Sequence, residues 1–194
     1  MILKSLAAIM AGHPFRGKIK EDLNGNGLVI QIKDLPSAGD KLNWQRLLKT
    51  NVASRTKVNW LKTGDVIVPS RGKNIFATSI QSEPSNLVVS PHFFIIRLQS
   101  QLVLPEFIAW QINQSQIQQY LKKSAEGSLQ VSIRKSVFEN MELTVPPKDI
   151  QYKLIEMNAL VLKEQKLFEA LIANRKSEIT QVSNNILSQY KDHQ

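Results

Sequence analysis

From Val145-Pro146-Pro147 to its last residue the chain contains no further Pro or Gly. Proline fixes φ and pushes the residue before it out of the α region, so Val145 and Pro146 are extended and a helix can begin only past Pro147. Apolar or long side chains then recur in alternating steps of four and three, at Ile150, Leu154, Met157, Val161, Glu164, Phe168 and Leu171. Around Arg175 the steps become four and four, after which Ile179, Val182 and Ile186 resume the stripe. This is a coiled-coil seam with one stutter. A helix of about 40 residues is roughly 60 Å long, longer than a small domain is wide, so an attached domain cannot cover the whole seam. No other stretch of the sequence offers a helix of that length. The covering helix has to come from a second copy or from another protein.

The residues before the corner suffice for one ordinary domain with a sizeable core. Hydrophobic content of 42% and charged content of 21% fit a folded chain rather than a disordered one. Apolar runs stop well short of the roughly 18 residues needed to span a bilayer. Ile2 to Met10 is interrupted by Lys4, lacks a basic leader and is too short for a signal peptide, so a cytoplasmic protein with no membrane contact is expected. The absence of cysteine removes disulfides, thiolate zinc sites and Cys nucleophiles together, which fits that compartment.

Charge separates the two parts. Of 25 Lys/Arg and 16 Asp/Glu, the segment from Asp149 onward holds six of each, which leaves 19 basic and 10 acidic residues before it. The whole excess of +9 therefore sits on the globular part. A neutral helix of mixed charge suits protein contact, and a positive globule suits a polyanion.

Along that globule, Ser5 to Gly12 is a short apolar segment expected to be helical. His13 to Lys20 is a basic loop punctuated by Pro14 and Gly17. Asn24-Gly25-Asn26-Gly27 is a turn, because Asn and Gly tolerate positive φ. Leu28 to Lys33 alternates as a half-buried strand does. Ser37 to Asn59 is polar and irregular, and its length points to a helix near Trp44 to Leu48 or to a functional loop. Val66 to Val68, a short strand ended by Pro69, and Ile75 to Ile80 form a hairpin around the basic turn Ser70 to Asn74. Leu87 to Val89 and Phe93 to Leu98 are β-branched and aromatic strands. Pro105 starts a helix whose apolar side runs to Leu121 before Lys122-Lys123, with Glu106 favourable in its first turn. Leu129 to Ile133 is extended, Arg134 to Glu139 is a helical turn, and Met141 to Val145 is a strand into the corner. The fold class is α+β: a globule of mixed strands and short helices followed by one long C-terminal coiled-coil helix.

Several phrases occur together in a known order. Leu61-Lys62-Thr63-Gly64-Asp65-Val66-Ile67, then Arg71-Gly72, then Glu126-Gly127-Ser128 through Ile133, then Leu143-Thr144-Val145-Pro146-Pro147 with Gln151 opening a long helix, resemble the specificity subunit of type I restriction-modification enzymes over nearly the whole chain. The resemblance implies a target recognition domain over 1–147 that reads one half of a split site in double-stranded DNA. It implies a helical spacer over 148–194 that pairs antiparallel with another and docks DNA methyltransferase (modification) subunits, with the restriction or translocase subunit as a further partner. That subunit is non-catalytic and uses no cofactor. The family usually carries two recognition domains and two spacers in one polypeptide, whereas this chain has one of each, as a half-subunit does. Two copies about a two-fold axis, a homodimer, restore the architecture and read a palindromic bipartite site; pairing with a different half does not.

The hairpin tip Arg71-Gly72-Lys73-Asn74 is the first candidate for base-edge contact, since Arg pairs bidentately with guanine and Asn with adenine. Arg16 with Lys18 and Arg55 with Lys57 are alternating basic pairs suited to phosphate, where most protein–DNA hydrogen bonds go. Ser132, Arg134 and Lys135 adjoin the segment that resembles the family's second recognition loop and are further phosphate candidates. Lys122-Lys123 complements a helix dipole without any DNA. Leu154, Met157, Val161, Phe168, Leu171, Ile179, Val182 and Ile186 are the partner-facing seam. His13, His92 and His193 lack metal-ligand spacing, and no metal site is expected. Asp65 shapes its turn; Asp65 and Lys73 alone are too little for a nuclease. Val145-Pro146-Pro147-Lys148 resembles the Asn/Asp-Pro-Pro-aromatic motif of amino-methyltransferases but lacks the leading amide and the stacking aromatic. The rival reading is a coiled-coil adaptor whose basic globule binds RNA or an acidic protein.

Overall fold

The structure is a computed structural model that describes residues 1–36, 42–53, 57–72, 75–82, 85–125 and 132–191. The chain divides into two compact units, Met1–Ile155 and Glu156–Gln194. The first unit is built on a four-stranded sheet of β1 (Ala7–Ala11), β4 (Val66–Pro69), β5 (Thr78–Ser79) and β7 (Phe93–Leu98), in the order β1-β7-β4-β5 with every neighbouring pair antiparallel. Successive side chains of a strand point to opposite faces, and here both faces are covered. Ala7, Ile9, Val66, Val68 and Ile96 enter one core with Phe107, Ile108, Ile112, Phe138 and Met141. Ile67, Phe93 and Ile95 enter another with Ile30, Leu61, Leu87 and Val89. The latter core is roofed by a second sheet of β2 (Gly27–Ile30), β3 (Leu48–Thr50) and β6 (Leu87–Val89), ordered β3-β2-β6, in which β2 and β6 run parallel.

The helices are α1 (Pro105–Ile112), α2 (Ser115–Lys123), α3 (Lys135–Glu139) and α4 (Lys148–Lys191). Pro105 occupies the first turn of α1, where its missing N–H costs nothing, and Glu106 lies against the positive end of the dipole. The expected single helix from Pro105 to Lys123 is interrupted at Asn113. Its side-chain amide donates to Ala77 O at 2.9 Å and accepts from Ala77 N at 2.7 Å, tying the break to the chain entering β5. Other expectations are corrected as well. Ser5–Gly12 is not a helix but contains β1, paired over its full length with β7. The strand expected over Leu28–Lys33 ends at Ile30, because Asp34 Oδ2 accepts from Gln31 N at 2.9 Å and closes a 3₁₀ turn over Ile32–Asp34. Trp44–Arg46 is a single 3₁₀ turn leading into β3, and Met141–Val145 makes only an isolated bridge, Glu142 to Ile2. Of the expected extended run Leu129–Ile133, residues 129–131 lie outside the described residues, as does His193.

Asp65 shapes its turn and does more. Its carboxylate accepts from Lys62 N at 2.8 Å and takes both arms of Arg97, Nε at 2.8 Å and Nη2 at 2.7 Å. The same guanidinium donates to Trp60 O at 2.8 Å, so a carboxylate only 1% exposed meets a planar, bidentate partner.

Helix α4 starts inside the first unit. Gln151, 0% exposed, donates from Nε2 to Leu102 O at 2.8 Å and to Pro146 O at 2.7 Å, and accepts Leu104 N at 2.9 Å. One amide therefore ties the Pro-Pro corner to the residue that caps α1. Leu154 and Ile155 follow, half-buried against the α-helical core. Gln151→Leu keeps the volume but orphans three backbone groups, and is expected to lower folding stability by about 3 kcal/mol, read as a shift of the urea midpoint with an unchanged slope.

Candidate nucleic-acid interface

Strand order brings separate basic loops together. β1 and β4 lie on either side of β7 and antiparallel to it, so both end where β7 begins. The chain leaving β1 and the chain leaving β4 thus emerge at one end of the sheet, two strand spacings apart, or roughly 10 Å. Gly12 N donates to Phe93 O at 2.9 Å and Ser70 N to His92 O at 2.8 Å, so both exits are pinned to the start of β7. At Gly12 any side chain would collide with the Ser90 carbonyl oxygen, which explains a glycine there.

Beyond Gly12 the basic loop folds onto residues 49–53. Phe15 and Ile19 pack on a small cluster of Val29, Val52 and Val88, leaving Arg16, Lys18 and Lys20 exposed. Thr50 Oγ1 donates to Lys20 O at 2.8 Å and Asp22 N to Lys49 O at 2.9 Å. Between these segments lies an open concavity of about 870 Å³ lined by His13, Phe15, Arg16, Lys18, Lys20, Asp22, Thr50 and Asn51 among others. Asp22 is its acidic member, and its carboxylate accepts from Asn24 N at 2.9 Å. His13 is 5% exposed and meets Phe15 edge-on at 4.6 Å. Burial pushes its imidazole below the usual range, and a hydrogen bond with the Ala53 backbone partly offsets this. The exposed Lys57 lies between Ala53 and Asn59, whose amide reaches Ala11 O at 3.5 Å, the long limit of a hydrogen bond.

The hairpin tip acquires a second partner. Arg71 bridges Ser132 in antiparallel fashion, and Ile133 N donates to Ser70 O at 2.9 Å. Ile133 is buried in the α-helical core and so seats the segment, while Arg71 and Arg134 stay exposed. Gly72 has φ of +109°, a conformation that the turn requires and side chains resist. Lys135 opens α3 and forms an i,i+4 ion pair with Glu139 at 3.2 Å.

Arg16, Lys18, Lys57, Arg71, Ser132 and Arg134, drawn from four separate stretches of sequence, are thus attached to one end of one sheet. Arg55, Lys73 and Asn74 lie outside the described residues. Lys20, Thr50 and Asn51 line the concavity without having been singled out in the sequence. Lys20 belongs to the same basic run as Arg16, whereas nothing local marks Thr50 or Asn51.

No protein-family model and no curated protein matches this sequence. Solved structures do. The crystal structure of a type I restriction-modification system S subunit from M. genitalium is 18% identical, with a TM-score of 0.54 over 81% of this chain and 37% of that one. The HsdS subunit from Thermoanaerobacter tengcongensis is 14% identical, with a TM-score of 0.54 over 84% of this chain and 38% of that one. A structure on complex assembly and conformational transition of the type I R-M system is 14% identical, with a TM-score of 0.62 over 93% of this chain and 42% of that one. The fold is S-subunit-like: an α+β domain followed by one long helix. The chain spans about two fifths of the length of the solved structures it matches. Among the described residues no helix is long and apolar enough to cross a membrane.

The depressed pKa of His13 has a pH consequence. The unfolded chain takes up a proton near pH 6.5 that the folded state resists, so stability falls as pH drops below that value and levels off below the folded-state pKa. His13→Asn lacks this component. The gap between wild-type and variant denaturation midpoints is therefore expected to narrow on going from about pH 7.5 to about pH 5.5.

Proposed function

We propose that this chain is a non-catalytic, sequence-specific DNA recognition module of a type I-like restriction-modification complex, reading one half of a bipartite site. The observation that carries the reading is the gathering of basic loops at one end of a single sheet on an S-subunit-like fold. The two loop exits, roughly 10 Å apart, match the scale of a B-DNA major groove, about 12 Å wide. Arg71 at the turn is the base-edge candidate. Arg16, Lys18, Lys57 and Arg134, with Lys20, are the phosphate candidates, and Ser132 offers a neutral donor beside Arg71. Lys135, held by Glu139, supplies a weaker phosphate contact. Arg55, Lys73 and Asn74 complete the set on sequence grounds. The seam of α4 takes a second spacer helix, and its outer face takes methyltransferase subunits.

Five or so phosphate contacts would make log K fall against log salt with a slope of roughly −4 to −5. Fluorescence anisotropy of a duplex carrying the site is expected to show it. Arg16→Ala with Lys18→Ala should lower that slope by about 2 and weaken all sequences alike. Arg71→Ala should cost about 1–3 kcal/mol on the preferred site and relax its sequence. A salt-independent affinity, or RNA competing as well as duplex DNA, would sink the reading in favour of the adaptor.

Leu171 is 59% exposed in the protomer. Leu171→Asp should raise the dissociation constant of the oligomer on the order of a hundredfold by placing a charge in the seam. Light scattering should then give the protomer mass.

A further inference from the structure

The concavity beside the first basic loop is lined by groups of different kinds. Arg16, Lys18 and Lys20 are exposed, and among the described residues none of the three forms an ion pair. Asp22 is the acidic residue of the lining, and its carboxylate accepts from Asn24 N at 2.9 Å within its own turn. His13 lines the same space yet is 5% exposed, so only a sliver of it reaches the concavity. Its ring meets Phe15 at 4.6 Å and its backbone N donates to Val89 O at 2.8 Å, which hold the residue from two sides. The neighbouring elements add Lys49 on β3, whose Nζ donates to Leu23 O at 2.8 Å, Lys57 beyond Ala53, and the exposed His92 between β6 and β7.

A charged imidazole at this position meets two penalties. It loses solvation on burial, and it joins three cations that one carboxylate only partly balances. A phosphate seated among the cations turns the second penalty into an attraction, because an opposite charge close by favours the protonated ring. The hydrogen bond with the Ala53 backbone also favours the charged ring, as donation from an imidazole N–H to a carbonyl does. That leaves the other ring nitrogen to take the proton.

We propose that the concavity is a proton-linked phosphate site, in which a phosphate group held by Arg16, Lys18 and Lys20 draws one proton from solvent onto His13. This rests on the reading of these cations as phosphate contacts and adds a protonation step to it. Linkage is reciprocal: the proton strengthens phosphate binding by the factor by which phosphate strengthens proton binding. Affinity therefore rises as pH falls through the window between the two titration midpoints of His13, bound above free, and is flat on either side. A DNA backbone phosphate and a free phosphate ion present the same anionic oxygens, and two probes separate them.

The probes are a mixed-sequence duplex and inorganic sulfate, added to the full chain at fixed ionic strength. Like a phosphodiester, sulfate keeps its charge over the range in which histidine titrates. The Cε1 proton resonance of His13, identified by its loss in His13→Asn, reports the midpoint directly. If that variant does not fold, His92→Asn and His193→Asn assign the resonance by exclusion and the wild-type titration decides. The midpoint should rise by about one pH unit, and duplex affinity should gain about tenfold in all across the window. Calorimetry of the duplex in buffers of different protonation enthalpy should show proton uptake by wild type and by His92→Asn, and none by His13→Asn. A midpoint that neither probe raises, or equal uptake by His13→Asn, would overturn the proposal. A rise with sulfate alone assigns the site to a free phosphate ion, and a rise with the duplex alone assigns it to the DNA backbone. A duplex bound with the expected salt slope while both probes leave the midpoint in place removes this inference and leaves the recognition reading standing. A rise with sulfate in a chain that binds no duplex does the reverse.

Discussion

Antiparallel pairing of β1 and β4 with the same strand, β7, decides where the loops that carry Arg16, Lys18 and Arg71 leave the sheet. Because both flanking strands end where β7 begins, two loops separated by more than 50 residues of sequence leave the sheet side by side. The pairing holds because both faces of the sheet are apolar and covered: Ile95 and Ile96, adjacent in sequence, are buried in different cores. A one-residue slip of β7 would exchange those two sets and move every side chain to the wrong face. The loops depend on that register, since Gly12 and Ser70 are hydrogen-bonded to the first residues of β7 and its approach.

Much of this was legible in the sequence where the signal is local. The corner at Pro146-Pro147, the helix start at Pro105, the hairpin around Gly72 and the β-branched run into β7 each announce themselves through backbone chemistry. The segment Ala7–Ala11 did not. Ala and Met are good helix formers, and a strand covered on both faces loses the polar alternation that would mark it. Tertiary pairing with β7 overrode the local preference. The break at Asn113 was hidden for a related reason: its cause is the Ala77 backbone, 36 residues away. Among the contact candidates, the basic loops could be read off as cations beside Gly and Pro. Their convergence on one sheet end could not, because it follows from strand order, and neither could Thr50 or Asn51, which reach the concavity through β3.

Buried polar groups do a different task in each half of the first unit. Asp65 and Arg97 fasten the approach to β4 onto β7 at the sheet end opposite the basic loops, with Trp60 O taking part of the guanidinium. Gln151 fastens the start of α4 to residues 102–104 and 146. Each makes several hydrogen bonds at once, and a well-paired polar cluster specifies one geometry where apolar packing alone would tolerate several. His13 differs. It is buried beside the exposed cations, and its lowered pKa keeps it neutral near pH 7, so the floor of the concavity adds no positive charge to a rim that already carries Arg16, Lys18 and Lys20.

Along α4 the same helical period passes from satisfied to unsatisfied. Gln151 is fully buried and Leu154 and Ile155 are half-buried in their own domain, whereas the seam's apolar residues from Met157 onward are half exposed or more. Covering them in water is favourable at about 25 cal/mol per Å² of apolar surface, but that attraction has no direction: it would accept a parallel or an antiparallel helix, in this register or one shifted by a heptad. Direction comes from whatever the seam makes costly. In this chain the costly positions are Glu164 and Arg175, charges of opposite sign within an otherwise apolar stripe, and a helix that covers the whole stripe has to meet both.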